Sequence, residues 1–150
     1  MHPLARGLLA GAAGTVALNV STYADMLVRG RGSSGVPAEV ADRLADRAGI
    51  TLGAPEQKSN REQAAGAMMG FVTGLGTGAA YGMISGRGGS PPAWLAGPLL
   101  GAIAMAGSDG PAAALGVADP RQWSRTAWLS DIVPHMVYGM VTAVAYRAMR

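Results

Sequence analysis

Cysteine is absent from the 150-residue chain, and aromatic and charged residues are scarce. The lack of cysteine excludes disulfides, thiolate catalysis and cysteine metal sites. Charged residues make up 14% of the chain, against about 25% in an average soluble domain, and there is one phenylalanine. A soluble core needs large apolar side chains, so this composition argues against an ordinary soluble domain. The basic residues form no run of like charge, and we therefore expect no nucleic-acid partner.

Glycine is abundant instead, with 23 residues, and its most regular spacing is in the stretch GAMMGFVTGLGTGAAYGMISG. Every fourth residue of this uncharged stretch is a glycine, and these six form what we call the glycine ladder: Gly66, Gly70, Gly74, Gly78, Gly82 and Gly86. Each glycine inside a helix costs roughly 0.5–1 kcal/mol relative to alanine. In membranes, small residues let helices approach closely, so the spacing predicts a helix-packing face.

The sequence leaves three interpretations of the glycine ladder open. The ladder packs against another helix of the same chain, forms a seam between copies of the chain, or lines a homo-oligomeric pore. For the first interpretation the other apolar segments offer small residues, namely Gly7, Gly11, Gly14, Gly97, Gly101, Gly139 and Ala143. We expect the face that runs from Gly70 to Gly82 to contact the first or the last helix.

The apolar segments predict an all-α, polytopic membrane bundle in one domain, because about 20 apolar residues can cross a bilayer. Four spans are expected, at residues 4–28, 64–86, 93–117 and 128–147. The third contains GSDGP, and we expect it to break or bend within two residues of Asp109, since Pro111 lacks a backbone donor. For the first segment, a signal peptide cleaved after Ala24 is the alternative.

Residues 30–63 form a polar segment with the signals of one short amphipathic helix, because Pro37 suits a first turn and Gly49 stops the run. We expect this helix to lie on the membrane interface or on the bundle, and docking of a partner is the alternative. Eight basic residues fall on the side of the larger loops and four on the side of the termini. The positive-inside rule then places the larger loops in the cytoplasm and both termini outside.

Five ionisable residues lie at the edges of the expected spans, on the side of the larger loops: Asp25, Glu62, Asp109, Asp131 and His135. Asp131 and His135 are four apart and share a helix face. Ionisable groups in spans are rare, so all five except Glu62 are candidates for a proton or ion site. The alternative is that Asp109 and Asp131 cap helix starts. One histidine among scattered carboxylates lacks metal-ligand spacing, and we expect no metal site.

Motifs of metalloproteases, serine hydrolases and nucleotide-binding loops are absent, and we expect neither an enzyme nor a cofactor. The expected function is a scaffold or accessory subunit of a membrane assembly. Its surroundings would be the lipid bilayer, and its partner another membrane protein or a second copy of the chain. A proton- or ion-linked transporter or channel that uses the edge carboxylates and His135 is the alternative. A membrane enzyme acting on lipids is a third hypothesis.

Two stretches of the chain, GLLAGAAGTVALNV near its start and PHMVYGM in its last apolar segment, carry a resemblance. They look like the corresponding parts of small uncharacterised bacterial inner-membrane proteins of the YagU type. The resemblance covers the first and last thirds of the chain. It implies a multi-span protein of the bacterial inner membrane with no assigned reaction, and it supplies no catalytic residues.

Overall fold

The computed structural model describes residues 1–149, and its regular structure is helical throughout. The five α-helices are α1 (Pro3–Arg29), α2 (Val36–Arg47), α3 (Pro55–Gly88), α4 (Ala93–Ala114) and α5 (Arg125–Ala148). A short 3₁₀ turn, Pro120–Gln122, lies between α4 and α5. The all-α expectation is thus confirmed, since none of the described residues is in a strand. Two helices, α1 and α3, are long and apolar enough to cross a membrane.

Local sequence signals explain where several helices begin and end. Prolines stand in the first turns of α1, α2 and α3, where a missing N–H leaves no helical hydrogen bond unmade. Gly30 ends α1 with a φ of 63°, a left-handed conformation that glycine adopts without strain. Ser124 caps α5, and its hydroxyl accepts a hydrogen bond from the N–H of Ala127 at 3.1 Å.

Helix α4 departs from the expectation of a break near Asp109. It continues without interruption through Asp109 and ends at Ala114, three residues before the expected end of the span. Pro111 removes one backbone donor, but it lies in the last turn, so little helix remains to be disrupted. The expected break is therefore wrong for the hydrogen-bonded helix.

The polar segment is also more helical than expected. Residues 55–63 belong to α3, which extends well before the predicted start of that span. The predicted short helix is α2, and it packs on α3 through the buried residues Val40, Ala41 and Ala45. Pro37 of α2 lies against Gly66, whose lack of a side chain leaves room for it.

The four long helices form an up-and-down arrangement in which α1 and α5 are the two inner helices. Helix α1 packs against both α3 and α5, and α5 also packs against α4. Gly7 lies beside Gly78 and Gly82, whereas Thr15 lies beside Gly74, so α1 and α3 are antiparallel. The chain therefore has two opposite ends. The loop end holds α2 and the connection between α4 and α5, and the terminal end holds the start of α1 and the end of α5.

The buried core is built mainly from small residues and tyrosines. Its members are Ala10, Tyr81, Ala96, Leu100, Ala104, Tyr138, Ala143 and Tyr146. Leu100 is the one large aliphatic residue among them. Such a core holds the helices at short distances, because little side-chain volume separates the backbones.

Candidate functional site

Close packing joins α1 to α3 through glycines, and we call this contact the α1–α3 seam. A Cβ added to Gly78 would lie 2.6 Å from the Cα of Gly11 and 2.8 Å from its backbone nitrogen. A Cβ added to Gly82 would lie 2.8 Å from the Cα of Gly7. Side chains would collide with backbone at these positions, so glycine is required there.

The glycine ladder does not form one continuous seam. Gly74, Gly78, Gly82 and Gly86 face α1, where Gly86 meets the ring of Pro3, whereas Gly66 faces α2. A Cβ added to Gly70 would meet no atom within 4 Å. Residues four apart rotate by about 40° from one another at 3.6 residues per turn, so the ladder winds away from any one partner. The expectation of a contact face extending to Gly70 is wrong at that end.

The other candidate partners of the ladder pack elsewhere. Gly97 and Gly101 of α4 lie against Gly139 of α5, and a Cβ on Gly139 would lie 2.5 Å from the nitrogen of Gly101. Gly14 faces the side chains of Tyr138 and Thr142. A second close seam therefore joins α4 to α5. Because α1 covers the Gly74–Gly82 face, that face is occupied within the chain and is not free to line a pore or to join two copies.

Two tyrosines of α5 bind backbone carbonyls of the glycine ladder. The Tyr138 hydroxyl donates to the carbonyl of Gly74 at 2.7 Å, and the Tyr146 hydroxyl donates to the carbonyl of Gly82 at 3.1 Å. Both pairs are eight residues apart on parallel helices. Neither tyrosine was predicted from the sequence as a buried hydrogen-bond donor. Their spacing, with Thr142 midway, was a usable signal of a buried polar face on α5.

A polar cluster lies at the loop end between α4 and α5. The Nδ1 atom of His135 lies 3.2 Å from a carboxylate oxygen of Asp131 and donates to the backbone carbonyl of Asp131 at 2.8 Å. The carboxyl groups of Asp109 and Asp131 are neighbours. The Ser108 hydroxyl lies 3.5 Å from Nε2 of His135. The structure thus brings together three of the four predicted polar site residues, Asp109, Asp131 and His135.

Asp25 does not join this cluster. Its carboxylate accepts hydrogen bonds from Arg29 at 2.7 Å and Arg31 at 2.6 Å, which neutralise it. Arg29 also contacts Ser130 of α5. Glu62 pairs with Lys58 at 3.4 Å. Asp25 and Glu62 therefore serve local ion pairs, Asp25 at the end of α1 and Glu62 within α3.

The capping alternative for the two cluster carboxylates is wrong. Asp109 lies inside α4, and Asp131 lies inside α5, two turns after its cap at Ser124. One carboxylate oxygen of Asp131 is buried without a hydrogen-bond partner among the described residues. A buried, unsatisfied carboxylate oxygen is costly, and a proton or a bound cation would relieve that cost. Within residues 1–149, no group of three or more metal-ligating side chains is arranged to hold a metal ion.

The chain matches no family model, no curated protein and no solved structure. The resemblance to proteins of the YagU type therefore stays a prediction.

Proposed function

We propose that the chain is an integral membrane protein in which α1, α3, α4 and α5 all cross the bilayer, and that it acts as a scaffold or accessory subunit of a membrane assembly. The observation that carries this proposal is the inverted distribution of side chains. Large apolar residues point outward on all four helices: Leu9 is 53% exposed, Phe71 48%, Leu99 58% and Val144 53%. Soluble monomers rarely expose apolar surface on every side, whereas a bilayer covers it.

The positions of the charges support the same placement. Helix α1 has no charged residue between Arg6 and Asp25, and α3 has none between Glu62 and Arg87. Helix α4, with 22 residues, is about 33 Å long at 1.5 Å per residue, and the hydrocarbon core is about 30 Å thick. The uncharged parts of the long helices lie side by side, as an apolar layer requires.

The surfaces that the bundle presents to its surroundings support the proposed scaffold role. The glycine faces are used inside the chain, so partners meet the outer aliphatic surface or the polar face of α2 at the loop end. Ile132, Val133 and Met140 line a shallow apolar groove on α5. In the membrane, such a surface contacts either lipid or a neighbouring transmembrane helix.

Single-cysteine labelling tests the four-span placement directly, because the chain has no native cysteine. Cysteines at Leu99 and Val144 should resist a membrane-impermeant maleimide in sealed vesicles, while cysteine at the exposed loop residue Ser33 should react from one side. Cysteine at Arg87 should react from the opposite side. Reaction of the Leu99 and Val144 variants in sealed vesicles, or release of the chain by alkaline carbonate, would contradict the proposal.

A proton- or ion-linked transporter is a second candidate, and the Asp109–Asp131–His135 cluster favours it. Histidine and paired carboxylates exchange protons readily. The test is proton flux into liposomes that contain the purified chain and an internal pH dye. Loss of flux in Asp131→Asn and His135→Gln, with flux retained in Glu62→Gln, would favour transport. Absence of flux in the parent chain would leave the scaffold role.

A further inference from the structure

The terminal end of the bundle carries basic residues and no acidic ones. Arg6, Arg87 and Arg147 lie within two turns of the helix ends that meet there. All nine aspartate and glutamate residues lie at the loop end or in its loops. An end with cations alone attracts anions from outside the chain.

Arg6 is the most unusual of these cations, because it is partly buried and has no counter-ion. Its guanidinium carbon lies 5.4 Å from the centroid of the Tyr146 ring. Its Nε atom is buried and has no hydrogen-bond partner among residues 1–149. None of the ion pairs of the described chain includes it. Its Nη2 atom donates to the backbone carbonyl of Met1 at 3.4 Å, whereas the buried Nε atom is left without an acceptor among the described residues.

Two buried hydroxyl groups without partners lie in the same region. The Tyr81 ring packs edge-on against Tyr146, with the centroids 4.9 Å apart. Ser85 lies one turn further along the same face of α3 and is 2% exposed. The hydroxyls of Tyr81 and Ser85 are buried and have no hydrogen-bond partner in the described part of the chain. Arg6 and Tyr81 both contact the Tyr146 ring, and Ser85 lies one turn from Tyr81 toward the same end. Native proteins pair nearly all buried polar groups, so these unmatched donors indicate a missing acceptor at the terminal end.

We propose that a phosphate group of a membrane phospholipid binds at the terminal end, between α1, α3 and α5, and accepts hydrogen bonds from Arg6, Tyr81 and Ser85. Guanidinium and hydroxyl donors together are typical of phosphate recognition. Arg6 and Ser85 lie three residues from their helix ends, about 5 Å deep, at the level of lipid head groups. The assignment rests on the membrane placement proposed above, and free inorganic phosphate shares its chemistry.

The test uses the full chain in detergent after phospholipid has been removed. Phosphatidylglycerol is then titrated, and native mass spectrometry measures the bound lipid while thermal unfolding measures its stabilising effect. The parent chain should bind one phosphatidylglycerol and melt at a higher temperature. Arg6→Gln should weaken binding at least about tenfold, the loss of one charge-assisted hydrogen bond. Arg87→Gln, an exposed cation at the same end, is the matched control and should bind nearly as the parent does.

A double variant, Tyr81→Phe with Ser85→Ala, keeps the proposal testable if Arg6→Gln fails to fold. It deletes only two unpaired hydroxyls, so folding should persist while binding weakens about tenfold. Diacylglycerol, which lacks phosphate, should not bind. Equal binding of diacylglycerol, or parent-like binding by both variants, would overturn the proposal. Stabilisation by inorganic phosphate without lipid binding would overturn the lipid assignment. Cysteine labelling reports on membrane placement independently of all these outcomes.

Discussion

The two ends of the bundle handle charge in opposite ways. At the loop end, outside the Asp109–Asp131–His135 cluster, cations and anions neutralise each other: Asp25 lies between Arg29 and Arg31, and Lys58 bridges Asp42 and Glu62. At the terminal end, Arg6 has an aromatic ring beside it and no carboxylate partner within residues 1–149. Between the ends lie seams of glycine, alanine and tyrosine without charge.

This difference separates charges that serve folding from charges that are available for binding. At the loop end, Lys58 of α3 pairs with Asp42 of α2, and Arg29 of α1 pairs with Asp25 and contacts the Ser130 hydroxyl of α5. A cation without a carboxylate partner, such as Arg6, gains only the weak attraction of the Tyr146 ring, and its partial desolvation opposes folding. We therefore expect the ion pairs of the loop end to respond to mutation through stability and the unpaired cation of the terminal end to respond through ligand binding.

The largest effect is expected from a substitution that forces apart α1 and α3, the helices that connect the two ends. Gly78→Ala places a Cβ 2.6 Å from the Cα of Gly11, and the two backbones must move apart. Overpacking of this kind costs about 1–3 kcal/mol in the free energy of unfolding. Denaturant or thermal unfolding in one detergent measures it.

Gly76→Ala is the matched control for the seam. Gly76 is on the same helix, and an added Cβ there meets no atom within 4 Å. Its replacement should be neutral or stabilising by about 0.5–1 kcal/mol, the difference in helix propensity. Equal destabilisation by both variants would show that the seam is not what makes Gly78 sensitive.

The hydrogen bonds of the two tyrosines allow stability to be compared between the ends, because Tyr138 lies nearer the loop end and Tyr146 nearer the terminal end. Tyr138→Phe removes a buried hydrogen bond of 2.7 Å to the carbonyl of Gly74 and should cost about 1 kcal/mol. Tyr146→Phe removes a longer bond of 3.1 Å and should cost less. Unfolding of the two single variants side by side tests the order, and the reverse order would count against it.

Neutralising one charge at each end is expected to give the smallest effect on the melting temperature. Without phospholipid, Asp25→Asn should lower the melting temperature, because Arg29 and Arg31 lose their shared anion, and high salt should reduce that loss. Arg6→Gln should leave the melting temperature unchanged under the same conditions. A larger loss from Arg6→Gln than from Asp25→Asn would show that Arg6 has a structural partner after all.

Sequence patterns anticipated part of the candidate site and missed the rest. The four-residue spacing of Asp131 and His135 placed them on one face, and the structure puts them in contact. Their position at the same end of the bundle as Asp109 was predicted from the order of the spans. The three residues lie close together because α4 and α5 are antiparallel neighbours. Asp25 lies outside the predicted polar site, because its carboxylate accepts hydrogen bonds from Arg29 and Arg31 nearby in the chain. The predicted break at Asp109 is absent, since a proline in the last turn of α4 removes few helical hydrogen bonds.

By itself, the sequence determined that the chain is helical and that its glycines form packing faces, because helix periodicity and the size of a side chain are local properties. The tertiary structure alone decided which glycine meets which helix. Gly78 meets Gly11, Gly66 meets Pro37 and Gly70 meets neither, because the ladder turns by about 40° at each step while its neighbours have fixed directions. The gathering of Arg6, Tyr81 and Tyr146 is likewise a tertiary result. These residues are far apart in the chain, and no local pattern records which helices will be adjacent.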